Sequence, residues 1–228
     1  MKHALEEIIE GVYLIGGPNL TAPEDAAVYL IDFGSELLMI DSGAGNSASQ
    51  IARNIELLGF NPSALSNLIL THCHIDHIGA APYFRKRYGT KILIHEADAR
   101  AIATGDSRKT AADWYGTTFP PTSADDTFTK EEESLSFGSE TLRVLHTPGH
   151  TPGSVSVYFD RKGKRVLFGQ DIHGPFNKAF DSNLEDWKKS MKKLLELNAD
   201  ILCEGHFGIY QPAASVRRYI ERFLEEYD

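Results

Sequence analysis

The stretch Leu68-Ile69-Leu70-Thr71-His72-Cys73-His74-Ile75-Asp76-His77-Ile78-Gly79 runs from apolar residues to a glycine and packs three imidazoles and a carboxylate into six residues. The apolar part reads as a short buried strand at 67–70, and a helix is expected from about 79 to 88. Where a strand ends, side chains at i and i+2 can turn toward one point. This is not the helical His-Glu-x-x-His pattern, whose histidines stand four apart. Cys73 lies between two of the histidines and is expected to point away from them as a small packed residue. Cys203, inside Ile-Leu-Cys, reads as core.

Three further candidates lie far downstream. His150 sits in Thr147-Pro148-Gly149-His150-Thr151-Pro152-Gly153, Asp171 follows Phe168-Gly169-Gln170, and His206 lies in Glu204-Gly205-His206-Phe207-Gly208. Strands are expected at 141–145, 154–159, 165–168 and 200–203, so each candidate comes just past a strand. If those strands run side by side, their ends share one rim and distant residues meet there without long connections. The glycines beside His150 and His206 allow the tight turns needed to aim an imidazole inward.

Upstream, strands are expected at 12–15, 27–33 and 37–40, the last leading into Asp41-Ser-Gly, and helical spacing covers 47–58. A strand at 91–94 and a helix at 96–103 close the first half, and helices at 184–197 and 213–227 belong to the second. Strands followed by helices in each half suggest sheets covered by helices on their outer faces. Residues 105–130 change character: Gly, Ser, Thr, Asp and Pro120-Pro121 surround Trp114, Tyr115 and Phe119. A long loop carrying three aromatics reads as a lid or substrate loop within one domain, 1–228.

The 228 residues are 42% hydrophobic, enough for a sizeable core. With 23 basic and 32 acidic residues the formal charge is −9, which repels polyphosphate and argues against nucleic-acid partners. Two cysteines make no disulfide framework, charges interrupt Met1 to Glu10 too often for a signal peptide, and no apolar run is long enough to span a membrane. A cytoplasmic protein acting on a small molecule is expected, with a homodimer as the default assembly.

The motif Thr71-His-Cys-His-Ile-Asp-His77 with His150, Asp171 and His206 resembles the metallo-β-lactamase superfamily of metal-dependent hydrolases, in particular its glyoxalase II and lactonase-like members. The resemblance implies an α/β fold, a four-layer αββα sandwich of two mixed β-sheets flanked by helices. It also implies two metals, one on His72, His74 and His150 and one on Asp76, His77 and His206, with Asp171 bridging. Imidazoles with carboxylates suit zinc, and also iron or manganese. A hydroxide bridging two such cations is nucleophilic near neutral pH, with Asp76 or Asp171 orienting it or passing on its proton. Asp41 is expected to hydrogen-bond the ligand loop or a ligand histidine. His3, His95 and His146 have no partners in the pattern, while His173 is a candidate for the site mouth.

Several departures from relatives narrow the chemistry. Gln170 replaces a glycine common before the bridging aspartate, and His173-Gly-Pro-Phe-Asn-Lys178 lacks the Gly- and Arg-containing stretch of glyoxalase II and persulfide dioxygenase relatives. Glutathione-linked substrates are therefore not expected. His74 stands where flavodiiron relatives carry an acid, which argues against O₂ or NO reduction. The expected reaction is hydrolysis of an ester, lactone or thioester whose apolar part meets Trp114, Tyr115, Phe119 and Phe176. The alternatives are a mononuclear iron oxidoreductase of the persulfide dioxygenase type using His72, His74, His150 and Asp171, a phosphodiesterase on the same fold, and a metal-binding protein without turnover.

Overall fold

The computed structural model describes residues 5–227; His3 lies outside them. The chain forms strands β1 (Glu6–Ile9), β2 (Val12–Gly16), β3 (Val28–Asp32) and β4 (Leu37–Ile40), then helix α1 (Ala48–Leu57) and strand β5 (Leu65–Ile69). The short helix α2 (Ile75–Ile78), α3 (Ala81–Tyr88), β6 (Lys91–His95), α4 (Glu96–Thr104) and β7 (Asp126–Phe128) follow. The second half runs β8 (Glu132–Phe137), β9 (Glu140–His146), β10 (Val155–Arg161), β11 (Lys164–Gln170), α5 (Leu184–Glu196), β12 (Ile201–Glu204), β13 (Ile209–Tyr210) and α6 (Ala213–Glu226). One sheet orders its strands β1 to β7 in sequence, with β4 to β7 parallel. The other runs β13-β12-β11-β10-β9-β8, with β11 and β12 parallel.

The layering follows from how side chains alternate along strands that are buried on both faces. In β3, Val28 and Leu30 enter a core shared with the helices, while Tyr29 and Ile31 enter a core shared with the other sheet. β4 splits the same way, Leu37 and Met39 against Leu38 and Ile40. In β12, Ile201 and Cys203 face the inter-sheet core and Leu202 faces α5 and α6. Strands covered on both sides read as continuous apolar runs, because period two then sorts apolar from apolar. α1 buries Ala48, Ile51, Ala52 and Ile55, one helix face, against the first sheet. α5 is capped by Asn183, whose side chain accepts from Glu185 N and Asp186 N, and buries Trp187, Met191 and Leu194. α6 covers the second sheet with Val216, Tyr219, Ile220 and Phe223. Two mixed sheets face each other and helices flank both, as an αββα sandwich requires.

Four strands escape sequence reading. β1 and β8 are outermost strands in their sheets, and β8 carries Glu132-Glu133-Ser134, so pairing and not composition makes it a strand. β7 and β13 are only three and two residues long. The helix expected at 79–88 is α3, and a separate turn, α2, precedes it, so Asp76 and His77 sit on a helical turn of their own that the sequence reading did not include. Residues 105–130 are an ordered strap: a 3₁₀ turn at Ala112–Tyr115 precedes β7, Ile75 N donates to Thr110 O, and Cys73 Sγ donates to Lys109 O. Both cysteines are free and buried. Among the described residues, no helix is long and apolar enough to cross a membrane.

Candidate metal centre

The rim at the carboxyl ends of β4, β5, β11 and β12 gathers the candidate side chains, because the loop after β5 carries His72 to His77 while Asp171 and His206 follow β11 and β12 directly. His150 joins them from the turn between β9 and β10, since antiparallel pairing of β10 with β11 brings that turn to the same rim. The nitrogens of His72, His74 and His150 and an oxygen of Asp171 lie within 4.8 Å of one another, as do the donor atoms of Asp76, His77 and His206. Asp171 joins the two groups: its Oδ2 lies 3.4 Å from His150 Nε2, and its Oδ1 lies 3.1 Å from His77 Nε2 and 3.3 Å from His206 Nε2. All are buried except His206, which is partly exposed.

Three of the five imidazoles, His72, His77 and His150, are oriented from behind. Thr71 Oγ1 donates to Asp41 Oδ2 at 2.8 Å, which leaves the hydroxyl oxygen to accept from His72 Nδ1 at 3.2 Å. Asp41 Oδ2 also accepts from His77 Nδ1 at 2.7 Å, and His150 Nδ1 donates to Pro175 O at 2.9 Å. These bonds place the Nε2 lone pairs of His72, His77 and His150 toward the interior of the site. Asp41 itself holds a positive φ of 58°, a cost sustained by its backbone bond to Ile69 O and its grip on Thr71 N. Gly205 is required beside Asp171, since a Cβ there would stand 2.5 Å from Asp171 Oδ1.

The donors fit a bound cation and little else. His72 Nε2 and His74 Nε2 are buried without a hydrogen-bond partner, an arrangement costing about 1–3 kcal/mol per group unless something fills it. His74 Nδ1 faces His150 Nε2 at 2.8 Å, a pair that shares one proton when both rings are neutral, and His77 Nε2 faces His206 Nε2 at 3.3 Å. Burial first, then the neighbouring rings, hold the pKa values of His72 and His74 well below the ordinary histidine range. Burial first, then His77 and His173, lower His150 to about 4 against the pull of Asp171, so this trio is neutral and ready to ligate. In the other group burial is overcome: Asp171, Asp76 and Asp41 hold His77 well above its usual value, and Asp171 and Asp76 raise His206 to about 10. Asp171 is correspondingly depressed despite its burial, chiefly by His77 and His206.

Two carboxylates outside the donor set hold it together. Asp98, in the first turn of α4, accepts from Cys73 N at 3.0 Å, Gly153 N at 2.9 Å and Thr151 Oγ1 at 2.7 Å, tying the His72–His77 loop to the His150 turn. Glu204 Oε2 accepts from His206 N and Phe207 N, while its Oε1 accepts from His173 Nδ1 at 2.8 Å. Asp98 gives no sequence signal, being one acid among several at a helix start. Glu204 does give one, as a lone carboxylate ending the apolar strand Ile201-Leu202-Cys203.

The mouth is lined by Trp114, Tyr115, His173, Pro175 and Phe180. Trp114 and Tyr115 are exposed, and burial followed by the charge of Asp76 raises the Tyr115 phenol well above its ordinary pKa. Phe119 lies elsewhere, buried in the core under the first sheet, and Phe176 packs on Trp187 and Tyr227. His95 and His146 stack on each other at 3.9 Å, away from the donors.

An αββα sandwich with a double His/Asp cluster at one rim is a scaffold whose donors could hold metal ions. The family model of the metallo-beta-lactamase superfamily matches residues 22–206, and the chain belongs to that superfamily. It is 30% identical over 183 residues to "Hydroxyacylglutathione hydrolase GloC" of Haemophilus influenzae, covering 76% of this chain and 82% of that protein. It is 28% identical over 233 residues to "Acyl-coenzyme A thioesterase MBLAC2" of Gallus gallus, covering 88% and 79%. Among solved structures, the class B3 di-zinc metallo-beta-lactamase LRA-12 from an Alaskan soil metagenome superposes with a TM-score of 0.82 at 26% identity, over 99% of this chain and 92% of that one.

Proposed function

We propose that the chain hydrolyses a carbonyl ester, thioester or lactone of a small, partly apolar substrate at a pair of divalent cations, zinc first, with iron or manganese as substitutes. The observation that carries this reading is Asp171, whose two oxygens face two separate groups of donors. His72, His74 and His150 hold one cation and Asp76, His77 and His206 the other. Cations there would supply Lewis acidity toward the carbonyl oxygen and lower the pKa of water. The "di-zinc" relative supports the count, and the names of the two curated relatives, both describing removal of an acyl group, support the carbonyl chemistry.

The protein's own residues do the rest. Asp41, Thr71 and Pro175 fix ring orientations so that the donors do not reorganise during the reaction. Tyr115, protonated beside Asp76, donates to a substrate oxygen at the mouth, and Trp114 and Phe180 exclude water around it. Glu204 holds His173 at the same mouth. With a formal charge of −9, the partner is a small molecule and not nucleic acid or an anionic membrane surface, and two free cysteines fit a reducing compartment such as the cytoplasm.

The test is a panel of lactones, thioesters, carboxylic esters and phosphodiesters offered to zinc-reconstituted protein. Turnover of acyl compounds, lost on chelation and restored by zinc, is expected. Turnover confined to phosphodiesters refutes the reading.

A further inference from the structure

A third group of donors overlaps the second. Asp171, His173 and His206 each offer a ligand atom, and these atoms lie within 4.8 Å of one another. His173 reaches them from the connection that follows β11, and its ring is held there. Its Nδ1 donates to Glu204 Oε1 at 2.8 Å, and the rings of His206 and Phe207 meet it edge-on at 5.2 and 4.6 Å. Glu204 is fully buried and also accepts from the backbone N–H groups of His206 and Phe207, so it is fixed in turn. A carboxylate on Nδ1 leaves Nε2 with its lone pair for a cation, the way ligating histidines are commonly set.

Depth separates this group from the one it overlaps. The side chains of His206 and His173 are 23% and 15% exposed, against 7% for Asp76 and 0% for His77. A cation arriving from solvent meets His206 and His173 before it meets Asp76 and His77. Both groups need His206, so they hold one cation in turn and not two at once. An ion passing inward keeps Asp171 and His206 and exchanges His173 for Asp76 and His77, so it is not stripped of ligands inside a buried site, where a bare charge is costly.

We propose that Asp171, His173 and His206 form a loading position through which the second divalent cation enters and leaves the centre, with Glu204 holding the His173 ring in place for it. This rests on the two-cation reading and adds to it a route and a ligand, His173.

The test follows zinc itself and needs no turnover. Protein holding one equivalent of zinc is mixed with a second equivalent in a stopped-flow experiment read by a chromophoric indicator, and the second ion is then withdrawn by excess chelator. His173→Asn keeps an N–H for Glu204 and removes the ligating nitrogen. A position passed on the way in and on the way out lowers the barrier equally in both directions. The variant should therefore slow uptake and release alike by about tenfold, or about 1.4 kcal/mol of barrier, while the affinity for the second zinc changes by less than about twofold. Asp76→Ala and His77→Ala, which disable the deeper group, should each still bind two zincs, the second more weakly, and adding His173→Asn to either should leave one. Unchanged rates in His173→Asn, a fall in affinity with uptake unaltered, or a second zinc that survives in both double variants overturns the proposal. Two zincs in the unaltered protein but one in both Asp76→Ala and His77→Ala overturns it while the two-cation reading stands. A single zinc in the unaltered protein removes both.

Discussion

Replacing Asp98 by alanine removes one carboxylate outside the proposed ligand set, yet it should weaken metal binding. Asp98 is 2% exposed and accepts three hydrogen bonds from the two loops that carry His72, His74 and His150. In Asp98→Ala the Thr151 hydroxyl can turn to Ser154 Oγ, 2.9 Å away, but Cys73 N–H and Gly153 N–H lose their acceptor. Two orphaned donors cost about 2–6 kcal/mol. Asp98 also lines a cavity of about 370 Å³ between α4 and Phe180, through which water can reach them, so about 2–4 kcal/mol is expected. For a chain of this length that is a fall of roughly 5–15 °C in Tm. Because the loops lose their tie, affinity for the cation on His72, His74 and His150 should fall about 10–100-fold, and that on Asp76, His77 and His206 much less. Competition titration with a chromophoric chelator, alongside thermal melts of the metal-free protein, reads both quantities. Unchanged Tm with unchanged affinity at both sites would refute the argument, and equal loss at both would show that Asp98 serves only general stability.

Other outcomes follow from the same geometry. In the metal-free chain His77 and His206 carry raised pKa values, His206 about 10, and are protonated at pH 7, while His72, His74 and His150 are neutral. Zinc added at pH 7 should therefore fill the neutral trio first with little proton release and the second group with release of about two protons, its affinity rising with pH up to about 10; equal release at both steps contradicts this. His95 is depressed to about 4, by burial first and His146 second, below its unfolded value near 6.5. The unfolded chain thus takes up a proton that the fold refuses, and about 2 kcal/mol of stability present above pH 6.5 is lost as pH falls toward 4. His95→Asn, which can still accept from Ala97 N, should flatten part of that slope in denaturant titrations. Trp114→Ala should raise KM several-fold with metal content unchanged, since the exposed ring packs on Phe180 at the mouth; an unaltered KM would remove Trp114 from substrate binding.

Much of this architecture is legible in the sequence because β3, β4, β10 and β12 are buried on both faces and announce themselves as apolar runs. The donor cluster is legible for a related reason: His72 to His77 are adjacent in the chain, and His150, Asp171 and His206 each follow a strand and stand beside glycine or an apolar stretch. Edge strands such as β8 are hidden because their neighbours, not their own side chains, hold them extended. Asp98 is hidden for a different reason: its meaning lies in three donors 25, 53 and 55 residues away, contacts that no local pattern encodes. Phe119 shows the converse limit, since an aromatic in a polar loop reads equally as lining or as anchor, and here it is buried in the core.

The proposed pairing of two cations across Asp171 is tested most directly by metal analysis of the zinc-reconstituted protein, combined with anomalous diffraction at the zinc edge. Two ions per chain are expected, about 3.5–4 Å apart, one against His72, His74 and His150 and one against Asp76, His77 and His206. A single ion, or iron alone bound by His72, His74, His150 and Asp171 with the second group empty, would contradict it.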